Sequence, residues 1–95
     1  MMDYTETLCA AIAIFGTEMQ QIVAMEELGE LIQEVSKQLR GKGDPEHLAE
    51  EIADVKIMLD QLVLMHNLSR KVDEYREAKT SRLLESILAK GRGDV

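Results

Sequence analysis

The sequence predicts an all-α protein, an antiparallel four-helix bundle, and three observations carry that prediction. Apolar residues recur at spacings of three and four along most of the chain. Of 95 residues only one is proline, and β-branched runs are few, so little breaks a helix or favours a strand. The gaps between periodic stretches are short, which makes successive helices antiparallel neighbours.

Leu8, Ile12 and Phe15 mark a first helix over residues 4–15, which Gly16 ends. Thr17 reads as the N-cap of a second helix, 17–39, whose apolar row is Leu28, Ile32, Val35 and Leu39. The segment RGKGDP, residues 40–45, is strong punctuation. Gly41 suits the left-handed position after a helix, Asp44 an N-cap and Pro45 a first helical residue. A third helix, 45–66, carries Leu48, Ile52, Val55, Leu59 and Leu62, until Asn67 and Ser69 interrupt it. A fourth, 70–90, carries Val72, Tyr75, Leu83 and Ile87, and the tail 91–95 is expected to fray. The whole chain, 1–95, reads as one domain without internal repeats.

A chain of this length buries about 60–70% of its unfolded surface, enough for one core with little to spare. Self-association would help it. With no Trp, one Phe and two Tyr, that core must be aliphatic. Cys9 is alone, so no internal disulfide and no Cys/His zinc pattern is available. The amino end has an acidic start and an apolar run far too short to span a bilayer, and it lacks the basic region of a signal peptide. The expected compartment is the cytoplasm, with no membrane partner.

The net charge of −7 is unevenly spread. Residues 17–36 hold five acids (Glu18, Glu26, Glu27, Glu30, Glu34) and no Lys or Arg, and residues 44–55 hold five more (Asp44, Glu46, Glu50, Glu51, Asp54), again with no base. Like charges four apart on a helix repel by about 0.2–0.5 kcal/mol per pair. An acidic middle also argues against nucleic acid, whose binders need a basic face. It fits divalent cations.

Glu27 and Glu30 are three apart, as are Glu51 and Asp54, so each pair rises from adjacent turns of one helix face. In an antiparallel hairpin, residues equidistant from the turn lie level, and the two pairs straddle a turn centred near residue 42. Four carboxylates should therefore converge between the second and third helices, at the margin of the apolar stripe. Partly buried carboxylates need partners, and the local sequence offers no Lys or Arg. Gly29, between Glu27 and Glu30, costs about 1 kcal/mol against Ala inside a helix, which suggests close approach of backbone or ligand. Oxygen ligands without His or thiolate suit Mg²⁺, with Mn²⁺ as substitute, and Mg²⁺ so held takes substrate phosphates as further ligands. The plainer alternative is a solvated face, since acid-rich helices produce Glu-x-x-Glu by chance, Glu74 and Glu77 being another instance. Two pairs symmetric about one turn weigh toward the metal site.

Glu27-x-x-Glu30, a twenty-residue gap and Glu51-x-x-Asp54 resemble the signature of the all-α nucleoside triphosphate pyrophosphohydrolases, the MazG-like enzymes related to dimeric dUTPases and phosphoribosyl-ATP pyrophosphohydrolase. The resemblance runs along EELGEL, the GKGD turn and EEIADVKIMLDQL, and reaches weakly to Lys79-x-x-Arg82-Leu83. It implies a MazG-like bundle that assembles as a homodimer or homotetramer. It also implies hydrolysis of a nucleoside triphosphate between the α- and β-phosphates, in a nucleotide-pool or house-cleaning role. By that likeness Glu27, Glu30, Glu51 and Asp54 bind Mg²⁺, and Glu27 or Glu30 serves as general base. Lys79 and Arg82 would neutralise substrate phosphate, the alternative for them being surface ion pairs with Glu77 or Glu85. EMQQIVAMEE lacks the Lys-rich approach of the phosphoribosyl-ATP branch, which disfavours that branch. A rival from another class is a non-catalytic acidic bundle that binds a protein or cations. The few flat side chains (Tyr4, Phe15, Tyr75, His47, His66) read as packing, capping or solvated positions rather than a base platform.

Overall fold

The computed structural model describes residues 1–93, and all their regular structure is helical: α1 (Tyr4–Phe15), α2 (Thr17–Leu39), α3 (Pro45–His66) and α4 (Ser69–Gly91). The predicted elements match to within a residue. Gly91, expected in the frayed tail, closes α4, while residues 94 and 95 of that tail lie outside the described residues.

Each helix end has a local cause. Asp3 caps α1, its Oδ1 accepting the Glu6 N–H at 2.7 Å. Gly16 ends α1 by donating its N–H to the Ile12 carbonyl at 2.9 Å, and the chain turns by 112° into α2. Thr17, expected as the N-cap, is instead the first helical residue, with Gly16 in the cap position. At the end of α2, the Lys42 N–H reaches the Lys37 carbonyl at 2.9 Å and the Gly41 N–H reaches Gln38 at 3.1 Å. This is a Schellman closure, and it needs the left-handed backbone of Gly41, φ +72°. Asp44 then caps α3 through the Glu46 N–H at 2.9 Å, with Pro45 in the first turn. Asn67 ends α3 at φ 54° and ψ 50°, with Leu68 donating back to Val63 at 3.0 Å.

The antiparallel pair α2 and α3 is the spine, and α1 lies against both. Tyr4 ties α1 to α3 by donating its hydroxyl to Asp60 Oδ2 at 2.5 Å. That bond, with burial and the Asp60 charge, holds the Tyr4 phenol above its ordinary pKa. The buried apolar set is small: Leu8, Ala24, Val55 and Met58. Beside it lies a buried amide pair, with Gln20 Nε2 donating to Gln61 Oε1 at 2.8 Å and Gln61 Nε2 facing Met58 Sδ at 3.7 Å. His66, read as a capping residue, instead meets Gln21 across the helix pair, 3.0 Å from Nε2 to Oε1.

Against expectation, the predicted apolar row of α2 faces outward. Leu28, Ile32, Val35 and Leu39 are 39, 70, 47 and 86% exposed. The stripe turned inward is Gln20, Ala24, Glu27, Leu31, Glu34 and Gln38, at spacings of four and three. Four of its six residues are polar, and it lies on the side of Leu48, Glu51, Val55, Met58 and Gln61, the more buried residues of α3. Among the described residues α4 touches only α3, and no residue of α4 is buried. The radius of gyration is accordingly 17.1 Å, against about 12 Å for a compact domain of this length. No single described helix is long and apolar enough to cross a membrane; α1 and α2 would qualify only jointly, and they are sharply bent.

Candidate metal centre

The turn at 40–44 sets the register that builds the site. Gln20 with Gln61, Glu27 with Asp54, and Glu30 with Glu51 all face one another across α2 and α3, and all three pairs share one midpoint, between residues 40 and 41. A single antiparallel register therefore runs the length of the seam. It carries the two acidic pairs to the same level, as their spacing predicts.

Glu27, Glu51 and Asp54 each offer a carboxylate oxygen, and these oxygens lie within 4.8 Å of one another. Glu30 stands outside that triangle but beside it, close enough for its charge to act on both Glu27 and Glu51. Glu27 and Glu51 are half-buried, while Glu30 and Asp54 are exposed. Glu27 and Glu51 thus reach into the seam, while Glu30 and Asp54 stand at its margin. Glu27 Oε2 and Glu51 Oε2 are shut off from solvent without a hydrogen-bond partner. Glu34, one heptad on, repeats the pattern with an unpartnered Oε2, although its Oε1 takes an ion pair from Lys37 at 3.2 Å.

The electrostatics follow from this crowding. The Glu27 carboxyl is pushed up to about 7, by burial first and then by the charges of Glu30, Asp54 and Glu51. Burial likewise raises Glu51, followed by the Glu30 charge, a hydrogen bond with Glu30 and the charge of Asp54. Both shifts say the same thing: the site is short of positive charge.

Lys79 and Arg82 are not brought to these acids within one chain: α4 has no contact with α2, and no Lys or Arg acts on Glu27 or Glu51. Nor do they pair with Glu77 or Glu85; the ion pairs among the described residues are Lys37–Glu34, His47–Asp44 and Arg70–Glu74. His47, 3.9 Å from Asp44 Oδ2, is a solvated helix start. Within the chain Gly29 is not a point of close approach, since a Cβ there would meet nothing within 4 Å. Gly43 is that point: a Cβ on it would land on the side-chain amide of Gln38. Gln20 and Gln61 were also missed, yet their signal was present. Gln20 precedes Glu27 by seven residues, as Glu27 precedes Glu34, so all three share one helix stripe.

The chain matches no protein-family model, no curated protein and no solved structure. The site must be judged on its own chemistry.

Proposed function

We propose that this chain hydrolyses a nucleoside triphosphate between its α- and β-phosphates with Mg²⁺, releasing a nucleoside monophosphate and pyrophosphate. The observation that supports this reading is the carboxylate seam, with Glu27 and Glu51 oxygens buried and unpartnered beside Asp54. Such atoms are expensive to bury alone. The donor set is hard oxygen throughout, which suits Mg²⁺ or Mn²⁺. With bonds of about 2.1 Å, adjacent ligands of octahedral Mg²⁺ lie about 3.0 Å apart and opposite ones about 4.2 Å. Oxygens already within 4.8 Å of one another would draw together by side-chain rotation to meet those spans.

Bound there, the cation would supply neutralisation of triphosphate oxygens and polarisation of the phosphorus under attack. Glu27, Glu51 and Asp54 would hold it. Glu30, beside the triangle but not in it, is better placed than Glu27 to accept a proton from the attacking water at its carboxylate. Water adds to the α-phosphorus, the bridging oxygen leaves with pyrophosphate, and the proton passes to Glu30. Lys79 and Arg82 neutralise phosphate charge when an α4 lies over the acids. The MazG-like spacing of the two acidic pairs supports the same reaction class.

The test is incubation with Mg²⁺ and a panel of ribo-, deoxyribo- and damaged triphosphates, followed by phosphorus NMR. Monophosphate plus pyrophosphate, abolished in Glu30→Gln, is the expected result. Diphosphate plus phosphate would mean another bond and another mechanism. If every triphosphate stays intact with Mg²⁺ and Mn²⁺, the enzyme reading is wrong and the acidic bundle is a binding module.

A further inference from the structure

We infer that Gln20 and Gln61 are positioning residues: their hydrogen bond holds α2 and α3 at the spacing at which the acids of the seam make one cation site. The inference rests on the reading of that seam as a cation site and deepens it. Glu27, Glu30, Glu51 and Asp54 act on one another there, and no Lys or Arg acts on Glu27 or Glu51. With no cation between them, like charges on facing helices push those helices apart.

Little else in α2 opposes that push. Its buried residues are Gln20 and Ala24, 7 and 3% exposed. The Ala24 methyl supplies contact area but no directional bond, and the long apolar row of α2 faces outward. Gln20 donates Nε2 to Gln61 Oε1 at 2.8 Å, and Gln61 is 4% exposed. A buried amide pair gains little stability over an apolar pair of the same shape. What it adds is a fixed distance between two particular atoms, where apolar side chains tolerate sliding and splay.

Its place in the seam gives the bond leverage. The Gln20–Gln61 pair lies seven residues from Glu27 and Asp54, about 10 Å along either helix. On the far side of the acids, the Gly41 closure and the Asp44 cap join the same two helices. The acids thus sit between two fastenings, one the continuous chain and the other an amide hydrogen bond. Loss of the second leaves α2 and α3 free to open at the level of Glu27 and Asp54.

Gln20→Met combined with Gln61→Met removes donor and acceptor while keeping side-chain length. Spin labels at Met25 and Lys56, exposed positions level with the acids, report the helix spacing by pulsed EPR; Cys9→Ser and excess unlabelled chain keep the signal specific. In EDTA at mildly alkaline pH the double variant should lengthen and broaden that distance. Adding Glu27→Gln should bring it back by removing a repelling charge, and it keeps the measurement open if the double variant does not fold. Calorimetry with MgCl₂ should find affinity about tenfold weaker in the double variant. Leu8→Ala, which thins the packing of α1, should lower the melting temperature and leave that affinity alone. An unchanged distance, an affinity that the double variant does not lower, or an equal loss in Leu8→Ala overturns the inference. If the parent chain binds no Mg²⁺, the cation reading fails by itself, and the distance measurement decides whether the amide pair holds the seam.

Discussion

Binding of Mg²⁺ to the metal-free protein should release protons, in an amount that Glu27 sets. With its carboxyl pushed up to about 7, Glu27 holds about 0.9 proton near pH 6, about 0.5 near pH 7 and about 0.1 near pH 8. A cation takes only the carboxylate, so that proton must leave as the ion enters. Glu51, raised in the same direction, adds to the release at the acid end. The apparent affinity should fall with it, approaching tenfold per pH unit well below about pH 7. Titration calorimetry with MgCl₂ in two buffers of different ionisation heat, PIPES and imidazole, counts the protons directly. Release should shrink from about one proton or more to nearly none across that range, and Glu27→Gln should remove most of the neutral-pH share. Equal heats in both buffers near pH 6, with binding established, would refute the reasoning. Glu27 would then be ionised before the ion arrived, and four acids in one seam would not be short of positive charge.

The metal-free chain should show a matching stability profile. Glu27 and Glu51 bind protons more tightly folded than unfolded, so their contribution is full below about pH 4.5 and is lost as pH rises, that of Glu27 through about 7. Melting curves in EDTA should record that decline, and saturating Mg²⁺ should flatten or reverse it. Replacing Gln20 or Gln61 alone by Leu should cost about 1–3 kcal/mol by leaving a buried amide unpartnered, and the double substitution should cost less than the two single costs together. Urea unfolding of the four proteins reads that coupling. Gly41→Ala should cost about 1–2 kcal/mol for its left-handed backbone, while Gly29→Ala should gain up to about 1 kcal/mol because nothing in the chain approaches it. Thermal melts of both would decide, and a loss at Gly29 would reveal a neighbour from outside the chain.

The helices and the site were legible for different reasons. Turn chemistry at Gly41, Asp44 and Pro45 is local, so it announced the α2–α3 hairpin without knowledge of packing. Given that hairpin, level pairing of Glu27 and Glu30 with Asp54 and Glu51 is arithmetic. Which stripe of α2 turns inward was not legible. Leu28, Ile32, Val35 and Leu39 form a real apolar row, but periodicity reports that a row will be covered, not by what. The true inward stripe mixes Gln20, Ala24, Glu27 and Leu31, with Gln20 meeting Gln61 on α3 and Glu27 sitting in the acid cluster. Glycine was misjudged for the same reason. Helix propensity flags Gly29, whereas only the path of the turn shows that Gly43 must clear Gln38.

The Schellman closure and the Asp44 cap leave almost no slack between the two long helices. That makes the loop a gauge for chemistry far from it. Glu30 lies ten residues upstream of Arg40, about 15 Å along the helix. Even so, one residue added to the loop without compensation would advance α3 by about 1.5 Å and rotate it by about 100°. Glu51 and Asp54 would swing off the seam while every helix still formed. Loop length is thus a dial that detunes the acid cluster and spares the fold, and a series of single-residue insertions at 41–43 would calibrate it.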